Sequence, residues 1–257
     1  MVQEGTDDGR DMSTAGQAAQ RFARALEQLP PPELRGPEML AVRLSRACVA
    51  ALPVDGAGMS IHDMKGLRTP IGASDPVAAQ AERLQFTHGE GPCLRAHDDG
   101  VAIAFDDAAI ARNWPDLYTA LVGETPFHAV LSVPLLPPLG PLVVLDLYVR
   151  DPEQLPATDR DDIEEVTIAL TRAMVAAALG APKEEGRPGW WDGPDALQRA
   201  RVWQATGMVN VALGLDTEDA LAALKAYAFA SDRVVDDVAD DVLAGRISLS
   251  ELSPSES

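Results

Sequence analysis

The period of the apolar positions changes along the chain, and each change marks an element. Between residues 13 and 29, Phe22, Leu26 and Leu29 fall four and three apart, a helical spacing that Pro30-Pro31-Pro32 stops. A second helix is expected over 37–52, with Leu40, Leu44 and Cys48 on one face and Pro53 after it. Alternation then takes over: Ala57, Met59 and Ile61 against Gly58, Ser60 and His62 read as a strand. Residues 67–73 are its expected partner, across a polar turn at 63–66. Ser74 or Asp75 is placed to cap a helix reaching Leu84, with Pro76 at its first position. A Gly/Pro loop over 88–94, a short strand over 101–105 and a helical stretch over 114–122 follow. Two strong strands are expected over 127–135 and 142–149; in the second, Val143, Leu145, Leu147 and Val149 share one face, and Asp146, Tyr148 and Arg150 the other.

A helix over 158–179 closes this region. Its Ile163, Val166, Leu170, Ala173 and Ala177 make a short heptad-like seam that suits either packing on the domain's own sheet or pairing in a homodimer. Residues 181–194 are rich in Gly, Pro and charge and read as a linker. No strand pattern follows. Ala205, Met208, Val209 and Ala212 mark one helix, with Gly214 as its left-handed stop. Asp216 caps a second, with Asp219 at the third position and a stripe of Leu221, Leu224 and Ala228. Beyond a turn at Ser231-Asp232-Arg233, Val235, Val238, Ala239 and Val242 mark a third that ends at Gly245. The expected class is α+β: a tail and helix over 1–36, an antiparallel sheet with flanking helices over 37–180, the linker over 181–194, an all-α three-helix domain over 195–247, and a polar tail over 248–257.

Charge narrows the function. In 257 residues, 21 Lys+Arg against 40 Asp+Glu give a net charge of −19, so nucleic acid or anionic membrane would not be held by the average field. With two cysteines, Cys48 and Cys93, neither a disulfide scaffold nor a thiolate zinc site is within reach, and a reduced, cytoplasmic setting is expected. The N-terminus has no apolar core of a signal peptide. The apolar run over 129–149 contains Pro134, Pro137, Pro138, Pro141 and Asp146, which suit two strands and a turn better than a membrane span.

Catalytic signals are weak. Cys93 lies in the expected loop with only Arg95 as a nearby cation, and a reactive thiol needs its pKa lowered, so a packed, inert cysteine is the better reading. His62, His88, His97 and His128 are scattered and match no metal-ligand spacing. Asp106-Asp107 and Asp161-Asp162 are adjacent pairs that point apart and read as turn and helix-start charges. Neither a phosphate-loop pattern nor a nucleophile elbow is present. A non-enzyme is expected, with no cofactor indicated.

The segment Leu84-Gln-Phe-Thr-His-Gly-Glu-Gly-Pro-Cys-Leu-Arg-Ala96, with the strand pair over 127–135 and 142–150, resembles a GAF domain, a sensory α/β module with an antiparallel sheet; the likeness spans about 39–179. Gln204-Ala-Thr-Gly-Met208, Asp219-Ala-Leu-Ala-Ala-Leu-Lys-Ala-Tyr-Ala228 and Arg233 through Ala239 resemble an ANTAR domain, the three-helix output of actinobacterial antitermination regulators. The resemblance implies a dimeric sensor with a small-molecule ligand in its first domain and RNA hairpins as partner of its second, preventing transcription termination. It departs from the pattern at Thr206, where Lys is common, and at Lys225, where Arg is common. From Asp195 on, 5 basic and 11 acidic residues leave −6. The RNA-binding candidates are therefore local: Arg199, Arg201, Lys225 and Arg233 for phosphate, and Tyr227, Phe229 or Trp203 for stacking on a loop base. Packing roles for Tyr227 and Trp203 are the alternative, and with them a degenerate ANTAR domain that binds a protein instead of RNA.

Overall fold

The computed structural model describes residues 16–28, 30–62, 68–157, 159–180 and 188–253. Its frame is a five-stranded, wholly antiparallel sheet in the order β2-β1-β5-β4-β3, built from β1 (Gly56–His62), β2 (Arg68–Ala73), β3 (Ile103–Asp106), β4 (Ala129–Pro134) and β5 (Val143–Val149). Central β5 is buried on both faces, as the run Val-Val-Leu-Asp-Leu-Tyr-Val requires. The α-helices among the described residues are α1 (Gln17–Glu27), α2 (Leu40–Ala51), α3 (Pro76–His88), α4 (Pro92–Asp99), α5 (Asp107–Asn113), α6 (Pro115–Glu124), α7 (Arg160–Gly180), α8 (Pro194–Leu213), α9 (Thr217–Ala230) and α10 (Val235–Leu243).

One sheet face is covered by α1, α2 and α7. Phe22, Leu44, Cys48, Val166, Leu170 and Met174 meet Met59, Leu145, Leu147 and Val149 there in a single apolar core. The helix expected over 13–29 is thus part of the sheet domain, and the portion of it at 13–15 and at Leu29 lies outside the described residues. The seam on α7 is consumed at home: Val166 and Leu170 are buried, and Ile163, Ala173 and Ala177 pack against the same core. Gly72 is needed where α2 crosses β2, because a Cβ there would stand 2.6 Å from the backbone of Ala41 and Val42.

The opposite face is covered by α3 and α4, and here the structure corrects the expected Gly/Pro loop. Asp75 caps α3 by accepting from the amides of Val77 and Ala78, and α3 runs on to His88. Gly89 ends it with φ +70°, Gly91 turns the chain at φ +138°, and Pro92 opens α4. Cys93 therefore sits in the first turn of a helix. A further helix, α5, is capped by Asp106 in a stretch whose periodicity is too short to read.

The C-terminal helices form a bundle around Val202, Ala205, Val209, Leu224, Ala228, Val235, Val238 and Val242. Asp216 caps α9 through the amide of Asp219, and Gly214 closes α8 at φ +67°, both as expected. Three expectations change. On α8 the buried side is Ala196, Arg199, Val202, Ala205, Thr206 and Val209, while Met208 and Ala212 face out. The tail is not wholly polar in role, since Leu252 is buried in a short 3-10 turn at Leu249–Leu252. The linker, of which 181–187 lie outside the described residues, ends in a turn at Gly189–Asp192 that buries Trp190 in the sheet domain's core. From there α8 starts against the edge strand β2, where Asp195 accepts a hydrogen bond from the backbone of Ala73. The bundle thus covers an exposed sheet edge.

Candidate functional site

Alternation on the inner strands places Ser60 and His62 of β1, Ser132 of β4, and Asp146 and Tyr148 of β5 on the face toward α3 and α4, and all five are buried. Arg68 comes from β2, Glu82 and Gln85 from α3, and Cys93 from α4. The Arg68 guanidinium is shared. It pairs with the Glu82 carboxylate, lies 3.5 Å from Asp146, donates to the Glu82 carbonyl at 2.8 Å and to Ser60 Oγ at 3.2 Å, and stands 3.3 Å from Cys93 Sγ. Tyr148 donates to Glu82 at 2.6 Å, Ser132 to Asp146 at 2.5 Å, and Gln85 to both Asp146 and Tyr148.

Burial opposes the Arg68 charge, but Cys93, Glu82, Asp146 and Tyr148 around it hold the guanidinium protonated. Burial pushes the Glu82 carboxyl up, against the pull of Arg68. His62 is driven down to about 2 by burial, Arg68 and His97, so its ring is neutral; it stacks on His97 at 4.3 Å. Burial raises the Cys93 thiol well above its ordinary value despite Arg68, which leaves it a weak nucleophile. This network fills the space between sheet and helices with satisfied side chains. Alternating strand residues signal it in the sequence, but nothing there joins Arg68 and Glu82 to them.

The second notable place is the seam between α3 and the bundle. Phe86 leaves α3 beside Glu82 and enters the bundle's core. The Arg199 guanidinium carbon lies 3.2 Å from its ring centroid, Lys225 Nζ 4.7 Å away, and Trp203 meets it edge-on at 6.0 Å. Thr87 accepts a hydrogen bond from the Val235 amide at 3.1 Å. Arg199 is fully buried and pairs with Asp236 at 3.4 Å, yet among the described residues Nε, Nη1 and Nη2 have no hydrogen-bond acceptor, and Asp236 Oδ2 has no donor. Burial lowers Arg199 to about 10, and burial with Arg199 and Arg68 lowers Lys225 to about 8. A cleft of about 440 Å³ opens beside this seam, lined by His88, Asp116, Phe229 and Arg233 among others.

The RNA-binding candidates are not brought into one exposed patch. Arg199 and Lys225 face Phe86. Arg201 pairs with Asp240, and Arg233 with Asp241 at 2.7 Å. Tyr227 is half-buried in the bundle, and Phe229 is exposed with its ring against His88. Of the acid pairs, Asp106 caps α5, Asp107 meets His128 at 3.0 Å, and Asp162 meets Arg21 at 3.0 Å. No group of three or more His, Cys, Asp or Glu among the described residues is arranged to hold a metal, and no described helix is long and apolar enough to cross a membrane.

No family model and no curated protein matches the sequence. Among solved structures, the chain is similar to the GAF domain of a phosphoenolpyruvate-protein phosphotransferase (ptsP) from Coxiella burnetii. The identity is 16% and the TM-score 0.43, over 66% of this chain and 94% of that one.

Proposed function

We propose that this chain is a sensory regulator in which a GAF-like sheet domain controls an ANTAR-like helical bundle, and that the released bundle binds RNA hairpins to prevent transcription termination. One observation carries the control: a single helix, α3, serves both halves. Glu82 and Gln85 enter the polar network on the sheet, and the next two residues, Phe86 and Thr87, enter the bundle. A small molecule or state that displaces α3 or α4 changes the free energy of docking, which is a shift between closed and open populations. The RNA output is supported by the motif resemblance of the bundle and by the cation pair Arg199 and Lys225 on its docked face. In a dimer, the contact would lie elsewhere than on the α7 seam.

A second reading, a protein-binding output, is favoured by a different feature. Arg201 and Arg233 are neutralised by aspartates, while Leu197, Met208 and Val211 are exposed on the outer side of α8. A gel-shift titration of the full chain on a tandem-hairpin RNA at two salt concentrations separates the two. Saturable binding that weakens with salt supports the RNA output; an absence of binding at low salt, in wild type and in variants opened at the seam, supports the protein output.

A further inference from the structure

The Phe86 seam has the form of a base-binding site already filled. A guanidinium at 3.2 Å from a ring centroid is stacked on it, a second cation sits at 4.7 Å, and an indole edge closes the side. Proteins hold an unstacked nucleobase in the same way, between an arginine plane and aromatic side chains, with cations near the flanking phosphates. Phenylalanine satisfies only the flat-ring part of that chemistry. The in-plane donors of Arg199, although fully buried, find no acceptor among the described residues. An RNA strand would supply acceptors there in its phosphate oxygens and base edges, so the arginine is better matched to RNA than to Phe86.

We propose that the socket formed by Arg199, Trp203 and Lys225 is where the bundle takes an unstacked loop base, and that Phe86 occupies it in cis as a base mimic. This rests on the RNA reading of the output and assigns its site and its block. Docking and RNA binding are then mutually exclusive, and the apparent affinity is reduced by the fraction of molecules that are closed.

The test is fluorescence anisotropy of a labelled tandem-hairpin RNA with the full chain, in wild type, Phe86→Leu, Thr87→Val and Phe86→Leu with Arg199→Met. Amide exchange at Val235, whose N–H is held by Thr87, reports opening without RNA. Phe86→Leu keeps an apolar side chain but removes the stacking face, so exchange accelerates and RNA binds about ten-fold tighter or more. Thr87→Val moves both in the same direction by a smaller factor and decides the matter if Phe86→Leu does not fold. Adding Arg199→Met abolishes the gain. Faster exchange with wild-type-like RNA affinity overturns the base socket while leaving an RNA output standing. Faster exchange with no RNA binding by any variant overturns the RNA reading itself. Unchanged exchange in both variants overturns the block by Phe86.

Discussion

The Arg199 guanidinium stands 3.2 Å from the centre of the Phe86 ring, and these two residues belong to different halves of the chain. The contact joins an α+β sheet domain to a helical bundle through a buried cation whose ionic partner among the described residues, Asp236, is 3.4 Å away. Such a cation is costly to bury, so the closed arrangement depends on the ring and on the apolar surface around it.

Lys225 gives the seam a pH dependence. Its ordinary value is 10.5, and in the folded chain it is lowered to about 8, first through burial and then through Arg199 and Arg68, with Asp236 opposing. Between those values the open or unfolded chain binds more protons than the closed one, so the contribution of Lys225 to stability rises as pH rises through that window. Cys93 and Tyr148, raised by burial, act in the opposite direction, so the comparison must be internal. Urea midpoints measured from pH 7.5 to 10 are expected to move in favour of wild type relative to Lys225→Met. A constant difference would show that Lys225 keeps its ordinary value.

The polar network tests the sheet domain. Asp146→Ala removes one partner each from Arg68, Gln85 and Ser132, all buried. The expected loss is about 3–5 kcal/mol in chemical denaturation, with Asp146→Asn smaller because it keeps hydrogen bonds.

The approach of α2 to β2 leaves no room for a methyl group. Gly72→Ala would set its Cβ 2.6 Å from the Ala41 and Val42 backbone, which no side-chain rotation relieves. A loss of roughly 1–3 kcal/mol is expected in the same assay, whereas Gly123→Ala, with open space around it, should be near neutral.

Both cysteines are buried and both thiols are raised by burial. Native protein is expected not to react with an aromatic disulfide reagent at pH 8 on the timescale of minutes, and to react at both sites in denaturant. Fast labelling of native Cys93 would reveal an accessible thiol.

Much of this fold was legible in the chain. Periodicity located all five strands: Ala57, Met59 and Ile61, and Val143 through Val149, alternate at a two-residue period, although β1 and β5 are buried on both faces. Ser74 or Asp75, and Asp216, mark their helix starts as caps, and the structure assigns the first of these to Asp75. The segment at 88–94 misled because Gly89, Gly91 and Pro92 signal a loop by composition, whereas in three dimensions they are a helix stop, a turn and a helix start. Met208 misled because α8 carries apolar residues on two sides, and periodicity does not say which one meets the core. The site was the least legible part. Arg199 reads as a candidate phosphate contact because its type is seldom buried, and Phe86 stands out only as part of the segment that resembles a GAF domain. Their meeting is a long-range packing event between α3 and α8 that no local pattern encodes.

The most direct test of the central claim is a double-mutant cycle between Phe86 and Arg199, with amide exchange at Val235 as the measure of docking. Phe86→Leu, Arg199→Met and the double variant are compared with wild type. If the ring holds the guanidinium, the two changes are coupled by about 1–2 kcal/mol, the scale of a desolvated cation–ring contact. Additive effects, with a coupling near zero, would contradict it and would mean that the two halves of the chain are not held together by this contact.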